Sequence, residues 1–515
     1  KRGLDGAGYM LAGAEKEPAG VWFGAGLEDM LGIEVGTTAT EEQVRAVLGR
    51  LEHPTQVDKD GDPVSLGSRP RRFKSREDRV KAALVAEPDA TEERQEQIRN
   101  QVRADTRKAV AYYDLTFSPV KSVSVYWATL VAAGRMAEAA NVVEAHRVAV
   151  AEAMAYVERE AGFVRSGFHG KTASGRSVGV YEQAKGLSWI RWDHSTNRDQ
   201  QPQLHSHVTL VNRAETSSDG EIRALDGKGF RPIKQGADAI YRQAYERVLT
   251  EANRVVFVTR ADGKAREIMG YDQRLLGKAS SRRRDIAQAV GVAAREFAER
   301  YGRAPSPVER KSMDRVAWRE TRSPKSHLVA PGQQLRNWVS GLRGELDRAL
   351  AAAEKHAERV ARFGHPDQRG YAGRSREEVL SAAVAAVQVK YATWEVGNLV
   401  DEIADQQTRT PAVTGEAADL AKEVLRGGAR YGVVLLTAPD PAPVPEVLQR
   451  EDGKSCYRPH NQEWWTTDTQ LHTEATIVSR AREQGAPTVD SPGLELARVE
   501  LIAAGLGPDQ QAAVL

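Results

Sequence analysis

GLSWIRWDHSTNRDQQPQLHSHVTLVNR, residues 186–213, holds two β-forming runs on either side of a polar connection. The second run, LHSHVTLV, carries His205 and His207 two positions apart. On a strand, alternate side chains share a face, so both imidazoles point the same way. His194 ends the first run, SWIRWDH, and antiparallel pairing across TNRDQQPQ (196–203) would bring it beside the other two. Three neutral imidazoles would leave coordination positions open, as a catalytic metal site requires. A His-x-His pair alone is more often part of a surface hairpin than a ligand pair, and it is the third histidine that favours a metal. Trp189, Arg191 and Trp192 lead into His194, and one face of that strand could stack a base. The two tryptophans are three apart, so at least one belongs to a core.

Working outward, the chain has 515 residues, enough for two to four domains and a sizeable core. No apolar run approaches the length of a membrane span, and no secretory signal is visible. A single cysteine, Cys456, excludes an internal disulfide framework and cysteine-rich zinc modules, and a reducing cytoplasm is the natural compartment. Net charge is only +2, so total charge does not announce a nucleic-acid partner. Its distribution says more. Arg69 to Lys81 holds seven basic residues, Arg71 and Arg72 among them, against Glu77 and Asp78. Arg282, Arg283 and Arg284 form a second cluster after Lys278. Both can neutralise phosphates or simply be solvated faces.

Local patterns alternate between strand and helix. Residues 41–51 read as a short helix, 56–75 as a polar loop or insertion and 76–110 as charged helix. AYYDLTFSPVKSVSVYWA (111–128) alternates and is rich in β-formers, which predicts one or two strands broken at Pro119. Residues 132–160 and 235–253 read as helices, and 285–400 is nearly all helical apart from loops at 301–307 and 363–375. VVLLTAPDPAPVPE (433–446) reads as a strand followed by a Pro-rich connection.

YYDLTFSPVKSVS (112–124), followed by the H-x10-H-x-H pattern of His194, His205 and His207, resembles the signature of conjugative relaxases of the F-plasmid transfer type. Two further segments resemble that family: ASSRRRDI around Ser281–Arg283, and Thr321–Lys325. The likeness covers roughly residues 1–330. It implies an α+β fold with a central antiparallel, palm-like sheet, a helical finger-like region over bound DNA, then a mostly helical region and a small mixed α/β C-terminal part. It also implies one divalent metal ion (Mg, Mn or Zn) on the three histidines. Imidazole suits Zn, Mn or Ni better than Mg. The implied reaction is nicking of single-stranded or hairpin origin-of-transfer DNA by a tyrosine, which leaves a 5′-phosphotyrosine bond and a free 3′-hydroxyl. Asp114 would orient a histidine and help deprotonate the tyrosine. Implied partners are a type IV secretion coupling protein and accessory relaxosome proteins, with the protein cytoplasmic or carried across with the DNA.

The family's nucleophile lies close to the N-terminus. Tyr9 is the only tyrosine in the first hundred residues, followed by PAGVWFGAGL (18–27), and it is the candidate here, ahead of Tyr112 and Tyr113. A tyrosine upstream of Lys1 is the alternative. Lys121 could contact a DNA phosphate or be a solvent-facing turn lysine. Arg191, Arg282, Arg283, Arg71 and Arg72 complete the expected DNA contacts. LGPDQQAAVL (506–515) resembles the segment before a helicase phosphate-binding loop, but G-x-x-x-x-G-K-[S/T] occurs nowhere: Gly170-Lys171-Thr172 and Gly453-Lys454-Ser455 are preceded by Arg165 and Leu448 where the first glycine is needed. No ATP binding is expected. The expected domains are 1–330 (relaxase), 331–390 (helical linker) and 391–515 (the start of a helicase-like region, cut short). Two other readings stay open: a rolling-circle replication initiator, and a catalytically inactive module that binds an origin hairpin. An activated-water metallohydrolase would need a further carboxylate base that no motif supplies.

Overall fold

In the computed structural model, residues 18–69, 76–88, 90–105, 110–171, 177–263, 265–321, 331–440, 442–450, 452–483, 491–508 and 510–511 are described. A four-stranded antiparallel sheet lies at the centre. In spatial order its strands are β1 (Val21–Phe23), β3 (Trp189–Thr196), β4 (Pro202–Val211) and β2 (Tyr112–Phe117). β3 and β4 are the two runs quoted from the sequence. The link between them is tightened by Asn197, whose Oδ1 accepts from the backbone N–H groups of Asp199 at 3.0 Å and Gln201 at 2.9 Å.

Register follows from alternation. Trp192 lies opposite His207, Asp193 opposite Ser206 and His194 opposite His205. Each sheet face therefore carries its own set of side chains. On one face Trp189, Leu204, Val208, Leu210 and Phe117 are buried in the main core, which is covered by helices α1 (Lys121–Ala132), α2 (Met136–Ala161) and α3 (Phe230–Asn253). On the other, Tyr112, Ile190, Trp192 and Val211 join Trp22, Leu27, Leu31, Val47, Leu48 and Leu66 in a second core built by the N-terminal segment. Both tryptophans of β3 are thus core residues, of different cores, and neither is presented for base stacking.

The expected second strand after Pro119 is instead α1. Its Val, Ser, Tyr and Trp residues imitate strand alternation, but the helix is enclosed almost all round, so no polar face marks its period. The serines that would face solvent on a strand are buried acceptors: Ser124 Oγ takes the N–H of Leu204 at 3.0 Å and Ser122 Oγ that of Ile268 at 2.8 Å. The polar stretch after residue 56 also differs from expectation, since Glu52–Val57 pairs with Pro63–Ser65 as a hairpin.

Helices α4 (Ser281–Tyr301) and α5 (Pro307–Glu320) pack on each other and bury only Val290 and Ala317 among their described residues. The segment expected to be a linker is not one. Helices α6 (Pro331–Ser340) and α7 (Arg343–Phe363) contact α1, and α8 (Val396–Arg409) packs along α3. Leu335, Leu346, Val379, Leu399 and Trp465 belong to the same core as Phe117 and Val208, so one core crosses both expected boundaries, 330/331 and 390/391. Gly397 permits the close approach, since a Cβ there would stand 2.3 Å from Pro232 O. Beyond α8, Val433–Leu435 pairs antiparallel with Trp465–Thr467. Asp468–Arg482 and Ser491–Ala503 follow as helices with no fully buried described residue. No helix among the described residues is long and apolar enough to cross a membrane.

The N-terminal segment docks through backbone alone at Gly26 and Gly186. A Cβ on Gly186 would lie 2.3 Å from Gly26 N. Gly186→Ala is therefore expected to destabilise the fold by about 1–3 kcal/mol, read as a lower denaturant midpoint with hydrogen-exchange protection lost first in residues 21–51.

Candidate metal centre

The second core covers only one end of its sheet face. At the other end, two or more residues further along the strands, the same face carries His194, His205, His207 and Asp114, all partly buried, and the exposed Thr116. His194 and His205 are cross-strand neighbours, and His207 follows His205 by two. Their ring centroids are 5.0 Å (194–205), 5.4 Å (194–207) and 5.5 Å (205–207) apart. Three imidazole nitrogens holding one ion at about 2.1 Å with tetrahedral angles place ring centres roughly 5 Å apart. The spacing therefore suits one shared ion. The ring orientations are not closed on a common point: among the described residues, no three His, Cys, Asp or Glu side chains already stand as a complete ligand set. The backbone fixes the spacing, whereas imidazole rotation about its last torsion is soft.

Hydrogen bonds select which nitrogens remain for an ion. His207 Nδ1 stands 2.8 Å from Asp114 Oδ1 and 3.2 Å from Thr116 Oγ1. Asp114 lies opposite Thr209 on β2, the diagonal neighbour of His207 on its own face. A carboxylate only accepts, so Nδ1–H donates and Nε2 keeps its lone pair. His205 Nδ1 is 3.0 Å from Gln203 O, a carbonyl, which fixes the same tautomer. Burial, reinforced by His194, pushes the His205 imidazole down to about 3, so it is neutral, as a ligand must be. Thr116 was missed in the sequence, although its place two residues after Asp114 in DLT puts it on the same face.

The other expected residues are scattered. Lys121 opens α1, where its Nζ donates to Pro202 O at 3.1 Å, at the start of β4. Burial pushes its ammonium down to about 8, against the opposing pull of Glu267 and Asp199. It is thus neither a solvent-facing turn lysine nor a histidine neighbour, but a part-buried cation at the same end of the sheet. Arg191 projects from the face opposite the histidines: its Nε is 3.1 Å from Asp193 Oδ1 and its guanidinium lies over Phe23 at 4.7 Å. That placement leaves Arg191 no phosphate-facing role. Arg282 stacks over Trp318 at 5.0 Å and donates to Trp318 O at 2.9 Å, joining α4 to α5, while Arg283 is exposed on α4. Tyr112 is fully buried in the second core, and burial pushes the Tyr113 phenol up to about 12. Neither is placed to act as a nucleophile. Tyr9, Arg71 and Arg72 lie outside the described residues.

Comparison with known proteins places the chain. The family model described as TrwC relaxase matches residues 4–344. The multifunctional conjugation protein TraI of Escherichia coli is 28% identical over 286 residues, covering 53% of this chain and 14% of that protein. TraI of strain K12 is 28% identical over 238 residues, covering 45% and 12%. The chain thus spans about one-seventh of the length of the curated relatives it matches. Among solved structures, TrwC complexed with a 27-mer DNA comprising the recognition hairpin and the cleavage site is 21% identical with a TM-score of 0.45, covering 67% of this chain and 96% of that one. Metal-bound conjugative relaxase TrwC in complex with OriT DNA is 20% identical with a TM-score of 0.46, at the same coverage.

Removing the carboxylate that orients His207 tests the centre. Asp114→Ala is expected to weaken Mn(II) or Zn(II) binding by about 10–100-fold, measured by titration calorimetry, with little change in thermal midpoint.

Proposed function

We propose, for a chain that belongs to the TrwC relaxase family, that it nicks and rejoins single-stranded origin-of-transfer DNA at the histidine end of its sheet, with a tyrosine as nucleophile and one divalent metal ion. The observation that carries this reading is the clustering of His194, His205 and His207 on one sheet face at 5.0–5.5 Å ring spacing, with His207 held by Asp114. The donor set fits an ion. Two of the three imidazoles have their Nδ1 engaged and present Nε2, and three ligands leave positions for phosphate oxygen and water. When bound, the ion offsets charge on the non-bridging oxygens of the scissile phosphate. Mn or Zn suits this nitrogen-rich set better than Mg.

The chain's own residues supply the rest. Tyr9 is the proposed nucleophile. Its phenolic oxygen bonds to phosphorus as the phosphorus–O3′ bond breaks, giving a 5′-phosphotyrosine and a strand with a free 3′-hydroxyl. The phenolic proton passes to a base, for which Asp114 is the candidate, and the departing 3′ oxygen takes up a proton. Reversal rejoins the strand without an external energy source, since one phosphoester replaces another. Topology is compatible with Tyr9. β1 runs antiparallel to β3, with Val21 opposite Arg191, so the chain N-terminal to Val21 heads toward His194. At Gly20 it already lies over Trp192, where a Cβ would come within 2.9 Å of the indole. Tyr9 is twelve residues before Val21, at most ~40 Å of extended chain, and three strand residues separate Arg191 from His194, roughly 10 Å.

The proposed partners are a single-stranded or hairpin origin of transfer, a type IV coupling protein and accessory relaxosome proteins. Lys121 is the proposed phosphate contact at the site, and Arg71, Arg72, Arg282 and Arg283 are proposed contacts further out. Residues 391–515 are proposed as the start of a helicase-like region.

Incubating the metal-replete protein with a single-stranded origin oligonucleotide should release the strand 5′ of the nick with its 3′-hydroxyl. It should also leave a protein–DNA adduct that survives denaturing electrophoresis. Mass spectrometry should find the adduct on Tyr9, and Tyr9→Phe should abolish it. Cleavage without any adduct would overturn the transesterase reading, and an adduct on a tyrosine C-terminal to His207 would favour a replication initiator. Lys121 gives a pH test. Its ammonium is charged below about 8 and neutral above it, so its contribution to DNA affinity should fade as pH rises through that value. Lys121→Met should remove that step from the pH profile.

A further inference from the structure

Directly behind the histidines, on the opposite face of β3 and β4, lies a line of polar groups inside the main core. Asp193 and Ser206 are cross-strand partners there, just as His194 and His205 are on the front face. Ser206 is fully buried, and its Oγ donates to Asp193 Oδ1 at 2.6 Å. His146, from α2, is also buried, with Nε2 at 2.8 Å from Ser206 Oγ and Nδ1 at 2.6 Å from the hydroxyl of Tyr241 on α3. Arg147 closes the far end, with its Nε donating to Asp193 Oδ2 at 3.1 Å.

These bonds run in one direction. Burial pushes the Tyr241 phenol well above its usual range, so it keeps its proton and donates. Burial pushes His146 down to about 4, so its ring is neutral, with one donor and one acceptor. Tyr241 O–H then donates to His146 Nδ1, His146 Nε2–H to Ser206 Oγ, and Ser206 O–H to the Asp193 carboxylate. Every hydrogen in the line has one acceptor, and the line ends on a charge that two arginines approach. Apolar side chains would fill the same space without demanding this geometry. What the polar line adds is a fixed distance between the two strands, and from each strand to two helices, at the one step where the histidines stand.

We propose that Ser206, His146 and Tyr241 are positioning residues for the metal centre: anchored to Asp193, they hold the His194–His205 step of the sheet from behind so that the three imidazoles keep the spacing one ion requires. The inference rests on reading those histidines as metal ligands. None of the three touches the ion or the DNA. They act through the backbone of residues 193 and 206, each adjacent to a ligand. A one-residue slip between β3 and β4 would turn a histidine toward the core, and a polar line that accepts only Asp193 opposite Ser206 opposes that slip.

The test is metal affinity read beside stability, with Mn(II) and Zn(II) as probes in titration calorimetry and the Mn(II) electron-paramagnetic-resonance line shape as a second readout. Ser206→Ala is expected to weaken binding by about 10–100-fold and to broaden the Mn(II) signal. Ser206→Thr, which keeps the hydroxyl, should restore wild-type binding. Tyr241→Phe removes only the distant hydroxyl and spares the packing, so it keeps the test open if Ser206→Ala does not fold. It should cost about two- to tenfold in affinity. Thr129→Ala deletes a buried hydroxyl that bonds to Val125 O and to Tyr271, with no bond to the polar line, and it should lower the thermal midpoint without moving metal affinity. Unchanged metal affinity in both Ser206→Ala and Tyr241→Phe would overturn the inference. If the unaltered protein binds neither ion, the metal reading itself falls, and the inference with it.

Discussion

The antiparallel step that sets His194 against His205 and Asp193 against Ser206 is the constraint on which the rest depends. Alternation has period two, so this one register decides two things together. It gathers the ligand candidates on the front face and the polar anchors on the back. The same register carries Trp192 and Ile190 forward into the second core, and Trp189 back into the first. A shift by one residue would put imidazoles among the packed methyls of α1–α3 and would bring Asp193 or Ser195 on β3, or Leu204, Ser206 and Val208 on β4, to the front face in their place.

Two cores on one sheet explain where the site lies. Strands β3 and β4 are longer than β1 and β2, and the N-terminal segment covers only the Tyr112–Val211 end of the front face. The other end is left to polar side chains that are partly buried. This is a favourable place for charge chemistry. Apolar walls nearby keep His205 neutral. Lys121 lies at the same end with its cost of burial partly offset by Glu267 and Asp199. The basic cluster on α4 belongs to a helical pair that makes little core, with Arg282 joining the two helices through Trp318.

Much of this was legible in the sequence, for physical reasons. His194, His205 and His207 were readable because strand period and a short polar connection together fix both face and register. Asp114 was readable through the DLTFS segment. The failures have separate physical causes. α1 reads as a strand because it is buried all round and so lacks the polar face that betrays a helical period. Arg191 reads as a DNA contact because composition does not reveal a face. Counting from His194 by alternation would have sent it to the back, beside Asp193. The supposed linker reads as separate because local patterns do not reveal which apolar stripe meets which, and the α3–α8 contact is allowed by glycines on both helices, Gly397 against Pro232 and Gly236 against Val400. His146 was unreadable as a partner of Ser206, sixty residues away, since one histidine in an Ala-rich helix carries no pattern.

That last pairing bears on why the core tolerates so much polarity. A tyrosine, a histidine, a serine and an aspartate among packed side chains gain little over hydrophobic replacements, because each must be desolvated and then satisfied. Net stabilisation is therefore a weak reason for them to be there. Directional bonds, however, distinguish one strand register from its neighbours, whereas methyl groups pack acceptably in several. Where the front face must hold three rings at 5.0–5.5 Å, specificity of register matters more than depth of burial. The interior of this sheet is polar at the step where a displacement of an ångström would separate the three imidazoles.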